Sequence, residues 1–206
     1  MKIVETLKNT VSAVEAADLR VTRALAPHRD KPEVKEAGRW SEIADQPPLI
    51  AISAAVLVAG LAMRRAGLAR TGARMLAAHL LATGVKTAIK RSIDRTRPDE
   101  ALDEGYRAEP GDSERHELSS FPSGHTAGAV AVAEAVAREA PALAGPMRLF
   151  AVAIALVQLP RAKHFVSDVV AGAAIGWISE RAASGVVDAL LAHTPAKAGV
   201  QVGEGR

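Results

Sequence analysis

Apolar positions along the chain gather into five blocks joined by short charged connections. The first, Pro47 to Met63, holds no charge and ends at Arg64 and Arg65. The second runs from about Met75 to Ile89 and contains His79 and Lys86. The third starts at Gly124 and runs to about Ala137, and the fourth spans Met147 to Leu159. The fifth runs from Val166 to Ile178 and can continue to Ala192. Most blocks fall short of the ~20 residues that a full membrane span prefers. Five in close succession still predict an all-α, membrane-embedded bundle of five or six helices over a soluble bundle. Ahead of them, Val4, Leu7, Val11 and Val14 recur at helical spacing, with Ala17 and Val21 following more loosely. That pattern predicts an amphipathic helix broken near Pro27. Such a helix can lie on a membrane surface or cap the bundle.

This patterning divides the chain into a polar segment over 1–46, a helical domain over 47–193, and a tail. The tail, from Thr194, is small and polar and is expected to be disordered. The connection from Arg64 to Arg74 carries Arg64, Arg65, Arg70 and Arg74 with no acid. The positive-inside rule places it in the cytoplasm. Alternation then puts 91–123, with its nine acidic residues, on the outer side together with 160–165. Five spans would leave the N-terminus outside, and a sixth would reverse it.

Composition narrows the function. The net charge of +3 is small and mixed with many acids, and there are only two Trp, one Tyr and three Phe. Neither a basic patch nor a stacking platform for nucleic acid follows. The absence of cysteine excludes disulfides, thiolate catalysis and Cys-type zinc sites. The N-terminal residues lack the apolar run of a secretory signal. Glu134, inside the third block, is expected to pair with a basic residue of a neighbouring helix.

Three polar patches sit at the outward ends of these blocks. In the first, residues 90–98, Lys90 and Arg97 are seven apart, and Lys86 lies one turn earlier. On a helix these cations share a face, which suits an anionic partner. The alternative is pairing of Lys90 with Asp94, the other cations reaching to water. In the second, Pro122, Ser123, Gly124 and His125 open an Ala/Val helix. Ser123 is a candidate N-cap, and the free N–H groups beside Gly124 form a natural anion site. A capped turn alone explains Ser123 and Gly124 but not His125. In the third, His164 and Asp168 are spaced i,i+4, so one helix face can carry a carboxylate and the imidazole it orients. Its alternative is a surface histidine beside a capping acid. Taken together, the patches provide what phosphoryl transfer requires: a nucleophile, a proton donor and a field of positive charge.

The three patches, in this order and spacing, resemble the PAP2 (type 2 phosphatidic acid phosphatase) superfamily. That family carries Lys, six residues, Arg-Pro; then Pro-Ser-Gly-His; then Arg, five residues, His, three residues, Asp. Lys90 with Arg97-Pro98, Pro122-Ser123-Gly124-His125, and His164 with Asp168 match these elements. The resemblance spans about residues 48 to 180 and implies a membrane lipid phosphatase. It implies His164 as a nucleophile passing through a phosphohistidine, Asp168 as its orienting acid, and His125 as the acid for the leaving alcohol. Lys90, Arg97, Ser123 and Gly124 would hold the phosphate oxygens, with no metal and no cofactor. The remaining acids form no obvious metal cluster in the sequence. One position departs from the pattern: Gln158 stands where the third motif has arginine. Arg161, three residues before His164, is the candidate substitute, although Pro160 interrupts regular helix geometry.

The implied substrate is a lipid phosphate monoester or pyrophosphate, with phosphatidic acid, phosphatidylglycerophosphate and polyprenyl pyrophosphate all open. The partners are that substrate and membrane lipids, and no nucleic acid. The site is expected at the non-cytoplasmic face of an integral membrane protein. Two alternatives compete: a soluble acid phosphatase or haloperoxidase relative, and a non-catalytic protein that binds phosphate headgroups.

Overall fold

The computed structural model describes residues 2–113 and 115–193. The tail from Thr194 and the side chains of Val4 and Leu7 lie outside the described residues. Eight helices account for most of the described chain. They are α1 (Lys2–Leu25), α2 (Pro32–Ser41), α3 (Gln46–Ala62), α4 (Ala66–Lys90), α5 (Pro98–Asp103), α6 (Gly124–Glu139), α7 (Ala144–Val157) and α8 (Val166–Ala192). The five apolar blocks correspond to α3, α4, α6, α7 and α8. Proline marks several helix starts: Pro32 opens α2 and Pro98 opens α5, where a missing N–H costs nothing. One small hairpin, β1 (Ile93–Arg95) against β2 (Ala108–Pro110), is folded into the long connection between α4 and α6.

The bundle is built around α6. Ala127, Ala129, Ala131, Ala133 and Ala135 are all buried, so this helix is small and apolar nearly all round and sits among α4, α7 and α8. Small side chains bring backbones together. At Gly172 of α8, an added Cβ would lie 2.5 Å from the carbonyl oxygen of Ser123 at the head of α6. That close approach holds the second and third motifs side by side.

Opposite ends of the bundle differ in charge chemistry. In the first turns of α4, Arg70 and Arg74 reach Glu139 of α6, and Arg74 also reaches Asp188 of α8. Arg138 and Glu180 pair nearby at 2.6 Å. Glu134 accepts two hydrogen bonds from Arg148 of α7, at 2.6 and 2.8 Å, which is the neighbouring-helix pairing expected for it. The motif residues gather at the other end, where α4 finishes at Lys90 and α6 begins at Gly124. With 25 residues in α4, the two ends are about 37 Å apart.

The leader is more structured than its sequence pattern indicates. The first helix runs to Leu25 and breaks into a 3-10 turn over Ala26–His28, as Pro27 predicts. Its docking face, however, is polar: Asp18 and Thr22 are buried, whereas Val11 and Val14 are exposed. After α2, a second 3-10 turn over Glu42–Ala44 bends the chain into α3.

Candidate active site

A cavity of about 520 Å³ opens at the motif end of the bundle, lined by residues from all three motifs. Lys90 and Arg97 come from the first motif, Gly124 and His125 from the second, and Arg161 and His164 from the third. Lys86 joins them from one turn earlier in α4.

Backbone carbonyls hold the cations in place. Lys90 donates to the carbonyl oxygen of Ser119. Arg97 Nε donates to His116 O at 2.9 Å, and its terminal nitrogens reach Lys163 O and Ser119 Oγ, both at 3.3 Å. Neutral partners fix the guanidinium without cancelling its charge, so it remains available to an anion. Asp94, the alternative partner for Lys90, instead accepts from the N–H of Ser113 at 2.9 Å.

Ser123 is the N-cap of α6. Its hydroxyl oxygen accepts from Thr126 N at 3.4 Å and from Thr126 Oγ1 at 3.0 Å. The side chain is buried beneath the cavity rather than lining it. Gly124 does line the cavity, and a Cβ there would sit 3.2 Å from Lys86 Nζ. Helix N-terminus and ammonium therefore converge on one small volume, a ready anion site.

His164 is buried, and its Nδ1 lies 2.8 Å from the carbonyl oxygen of Ser120. That oxygen can only accept, so Nδ1 carries the proton and Nε2 is left with its lone pair. Asp168 stands behind the ring, Oδ2 lying 3.7 Å from Nδ1. This carboxylate accepts from Ser120 Oγ at 2.5 Å and from Phe165 N at 2.8 Å, and it pairs with Arg95. Asp168 therefore fixes the loop that holds the ring, while the Ser120 carbonyl makes the direct bond. Burial, reinforced by Arg97 and Lys90 and opposed by Asp168, brings the His164 imidazole down from 6.5 to about 4. The ring is neutral at physiological pH.

His125 also lines the cavity, with Nε2 3.1 Å from Asp45 Oδ1 and 3.5 Å from Glu42 Oε2. These two acids come from the leader and the head of α3. The sequence had offered no obvious metal cluster, but ligand atoms of Glu42, Asp45 and His125 all lie within 4.8 Å of one another. Glu42 and Asp45 are three residues apart, and the fold brings both to His125, about 80 positions further along the chain. The donor set, one imidazole and two carboxylates, suits a divalent cation in kind. Against it, Glu42 already binds Arg161.

The departure from the third motif has a structural counterpart. Gln158 is fully buried, its amide donating to Ile154 O at 3.0 Å and to Ser41 Oγ at 3.3 Å. Arg161 donates to Ser41 Oγ at 2.7 Å and to Glu42 Oε1 at 2.6 Å, with Gln158 Oε1 at 3.4 Å. Arg161 reaches the cavity wall, but it arrives already paired with a carboxylate. The turn that aims it closes α7 with Ala162 at φ +53, in the left-handed region. There Lys163 N reaches Gln158 O at 3.2 Å and Ala162 N reaches Leu159 O at 3.0 Å, the bonding pattern of a Schellman helix end.

Sequence reasoning missed Ser119, Ser120, Arg95, Asp18, Glu42 and Asp45. Ser119 and Ser120 directly precede the second motif, and Arg95 lies within the first, so proximity could have flagged them. Asp18, Glu42 and Asp45 stand in a leader whose pattern carried no such signal.

The sequence pattern of the PAP2 superfamily matches residues 71–190. The chain therefore belongs to the PAP2 superfamily and, with it, to the phosphoric ester hydrolases. No curated protein sequence gives a significant match. Among solved structures, the fold is similar to that of Aquifex aeolicus LpxE, with a TM-score of 0.61 and 20% identity over 81% of this chain and 94% of that one. It is also similar to a transmembrane PAP2 type phosphatidylglycerolphosphate phosphatase from Bacillus subtilis, with a TM-score of 0.57 and 21% identity over 86% of this chain and 88% of that one.

Proposed function

We propose that this protein is an integral-membrane phosphatase that hydrolyses a lipid phosphate monoester or pyrophosphate through a phosphohistidine. The observation that carries the reading is the convergence of two histidines, Lys90, Arg97 and the α6 N-terminus on one cavity.

Lys90, Arg97 and the N–H groups at Gly124 bind the phosphoryl oxygens, and Arg161, also in the cavity lining, adds positive charge. His164 Nε2 attacks phosphorus in line as the bond to the leaving oxygen breaks. His125 donates its proton to that oxygen, releasing the alcohol or the shorter phosphate. Water then attacks the phosphohistidine. His125 takes a proton from the water, the P–N bond breaks, and inorganic phosphate leaves.

A lipid substrate is favoured by the outer faces of α7 and α8. Leu149, Val152 and Leu156 of α7 and Val170 and Ile178 of α8 are large, apolar and exposed, as a lipid-facing surface requires. No single helix among the described residues is long and apolar enough to cross a membrane. The pair Pro32–Ala44 and Gln46–Ala62, bent by 51°, does meet the length and composition of a span. With Arg64 and Arg65 at the far turn held cytoplasmic, the cavity faces the non-cytoplasmic side.

The test is phosphate release from phosphatidic acid, phosphatidylglycerophosphate and polyprenyl pyrophosphate in detergent with EDTA, comparing wild type with His164→Ala. Release by wild type and its loss in the variant are expected. Cleavage of water-soluble esters alone would overturn the lipid assignment.

A further inference from the structure

Asp18 is an acid with an unusual position. It sits in an otherwise exposed stretch of α1, yet it is only 2% accessible. Arg95 Nη2 donates to its Oδ2 at 2.8 Å, Ser167 N donates to Oδ1 at 3.0 Å, and the Ser167 hydroxyl donates to Oδ2. Arg95 is itself 5% accessible and pairs through Nη1 with Asp168, which is fully buried. One buried guanidinium thus joins the N-terminal helix to the carboxylate beside His164.

The local sequence of α8 explains why an outside acid is needed. Its N-cap is Phe165, which has no side-chain acceptor for the free N–H groups of the first turn. Asp18 supplies that acceptor from another helix. Further contacts fix the Arg95 side chain: Nε reaches Tyr106 OH at 3.2 Å, and the guanidinium lies 4.5 Å from the centroid of Phe165. Tyr106 in turn donates to Glu15 of α1 at 3.1 Å. Every member of this chain is a group whose burial is costly unless it is paired.

We infer that Asp18 is a positioning residue for catalysis: docking of α1 through Asp18 sets Arg95 and the head of α8, and thereby Asp168 and the His164 loop. The inference rests on the reading of His164 as nucleophile. Asp18 lies outside the cavity lining and touches no substrate group. Its loss therefore acts on kcat and leaves phosphate capture by Lys90, Arg97 and Gly124 intact. A misplacement of the reacting ring of this kind costs on the order of 10–100-fold in rate.

The test compares wild type, Asp18→Ala, Asp18→Asn, Ser167→Ala and His164→Ala, full-length in detergent, on dioctanoyl phosphatidic acid and p-nitrophenyl phosphate. Asp18→Ala is expected to lower kcat about 10-fold or more with KM within about twofold of wild type. Asp18→Asn, which keeps one acceptor, recovers an intermediate kcat, and Ser167→Ala loses a few-fold. If Asp18→Ala fails to fold by circular dichroism, the decision passes to Ser167→Ala, which removes a single hydroxyl. Wild-type kcat in the folded Asp18 variant, with any loss confined to melting temperature or KM, overturns the inference, as does a wild-type kcat in Ser167→Ala when that variant decides. A fully active His164→Ala, or a wild type inactive on both substrates, overturns instead the reading on which the inference rests.

Discussion

The carbonyl oxygen of Ser120 lies 2.8 Å from Nδ1 of His164 and is the bond that decides which imidazole nitrogen faces the cavity. Asp168, at 3.7 Å, supports that bond by holding the Ser120 hydroxyl and the Phe165 N–H. Tautomer and charge support are therefore supplied by different groups.

Replacing Asp168 with Asn separates them. The Ser120 carbonyl still selects the reactive tautomer, while the negative charge behind the ring is lost and Arg95 keeps only Asp18 as an acid partner. Asp168→Asn should lower the single-turnover rate of phosphate release by about 100-fold. His164→Ala should abolish it. Equal losses in the two variants would mean that Asp168, rather than Ser120, sets the ring.

The pH profile carries a second signature. His164 attacks only when Nε2 is unprotonated, and its imidazole is held down to about 4. Activity limited by this group is retained through the ordinary imidazole range and is lost only as pH falls through about 4. Lys90→Met removes a repelling cation, favours the imidazolium, and should move the acid limb of kcat/KM to higher pH. The substrate phosphate ionises near 6, and this contribution is unchanged by the substitution. An acid limb that stays fixed in Lys90→Met would contradict the assignment.

Restoring arginine at position 158 should damage the protein rather than improve it. Gln158 is fully buried with Arg161 3.4 Å away, so Gln158→Arg places a second guanidinium in an occupied slot. A cost on the order of 3 kcal/mol in stability is expected, read as a lowered melting temperature. The exchange Gln158→Arg with Arg161→Gln should recover most of it, because the new arginine inherits Ser41 and Glu42. Failure of the exchange to recover stability would show that position 161 is not interchangeable with 158.

Chelation probes the Glu42, Asp45 and His125 group. With the phosphate charge met by Lys90, Arg97 and backbone N–H groups, EDTA should leave kcat and KM unchanged. Turnover that falls in EDTA and returns with a divalent cation would identify that group as a functional cation site.

Much of the architecture was legible from spacing alone. The five apolar blocks and the break at Pro27 lie where helices begin and end, because burial periodicity and proline act locally. The arginine run at 64–74 was less complete as evidence. Its acid-free sequence hid Glu139 and Asp188, which reach Arg70 and Arg74 from helices far along the chain. In the leader the pattern left two placements for the apolar stripe, a membrane surface or the bundle; Val11 and Val14 are exposed, and the buried contact is made by Asp18, which the pattern did not single out.

What the sequence determined by itself was the chemical inventory: two histidines, a carboxylate one helical turn from one of them, cations at helical spacing and an anion-binding helix start. These follow from residue type and short-range geometry, in which one turn of helix fixes neighbours. The tertiary structure decided which groups touch. It gave the Nδ1 proton of His164 to a backbone carbonyl, sank Ser123 beneath the cavity, tied Arg161 to Glu42, and joined Asp18 to Asp168 through Arg95. Backbone carbonyls carry no side-chain signature, and partners far apart in sequence meet only when packing brings their helices together.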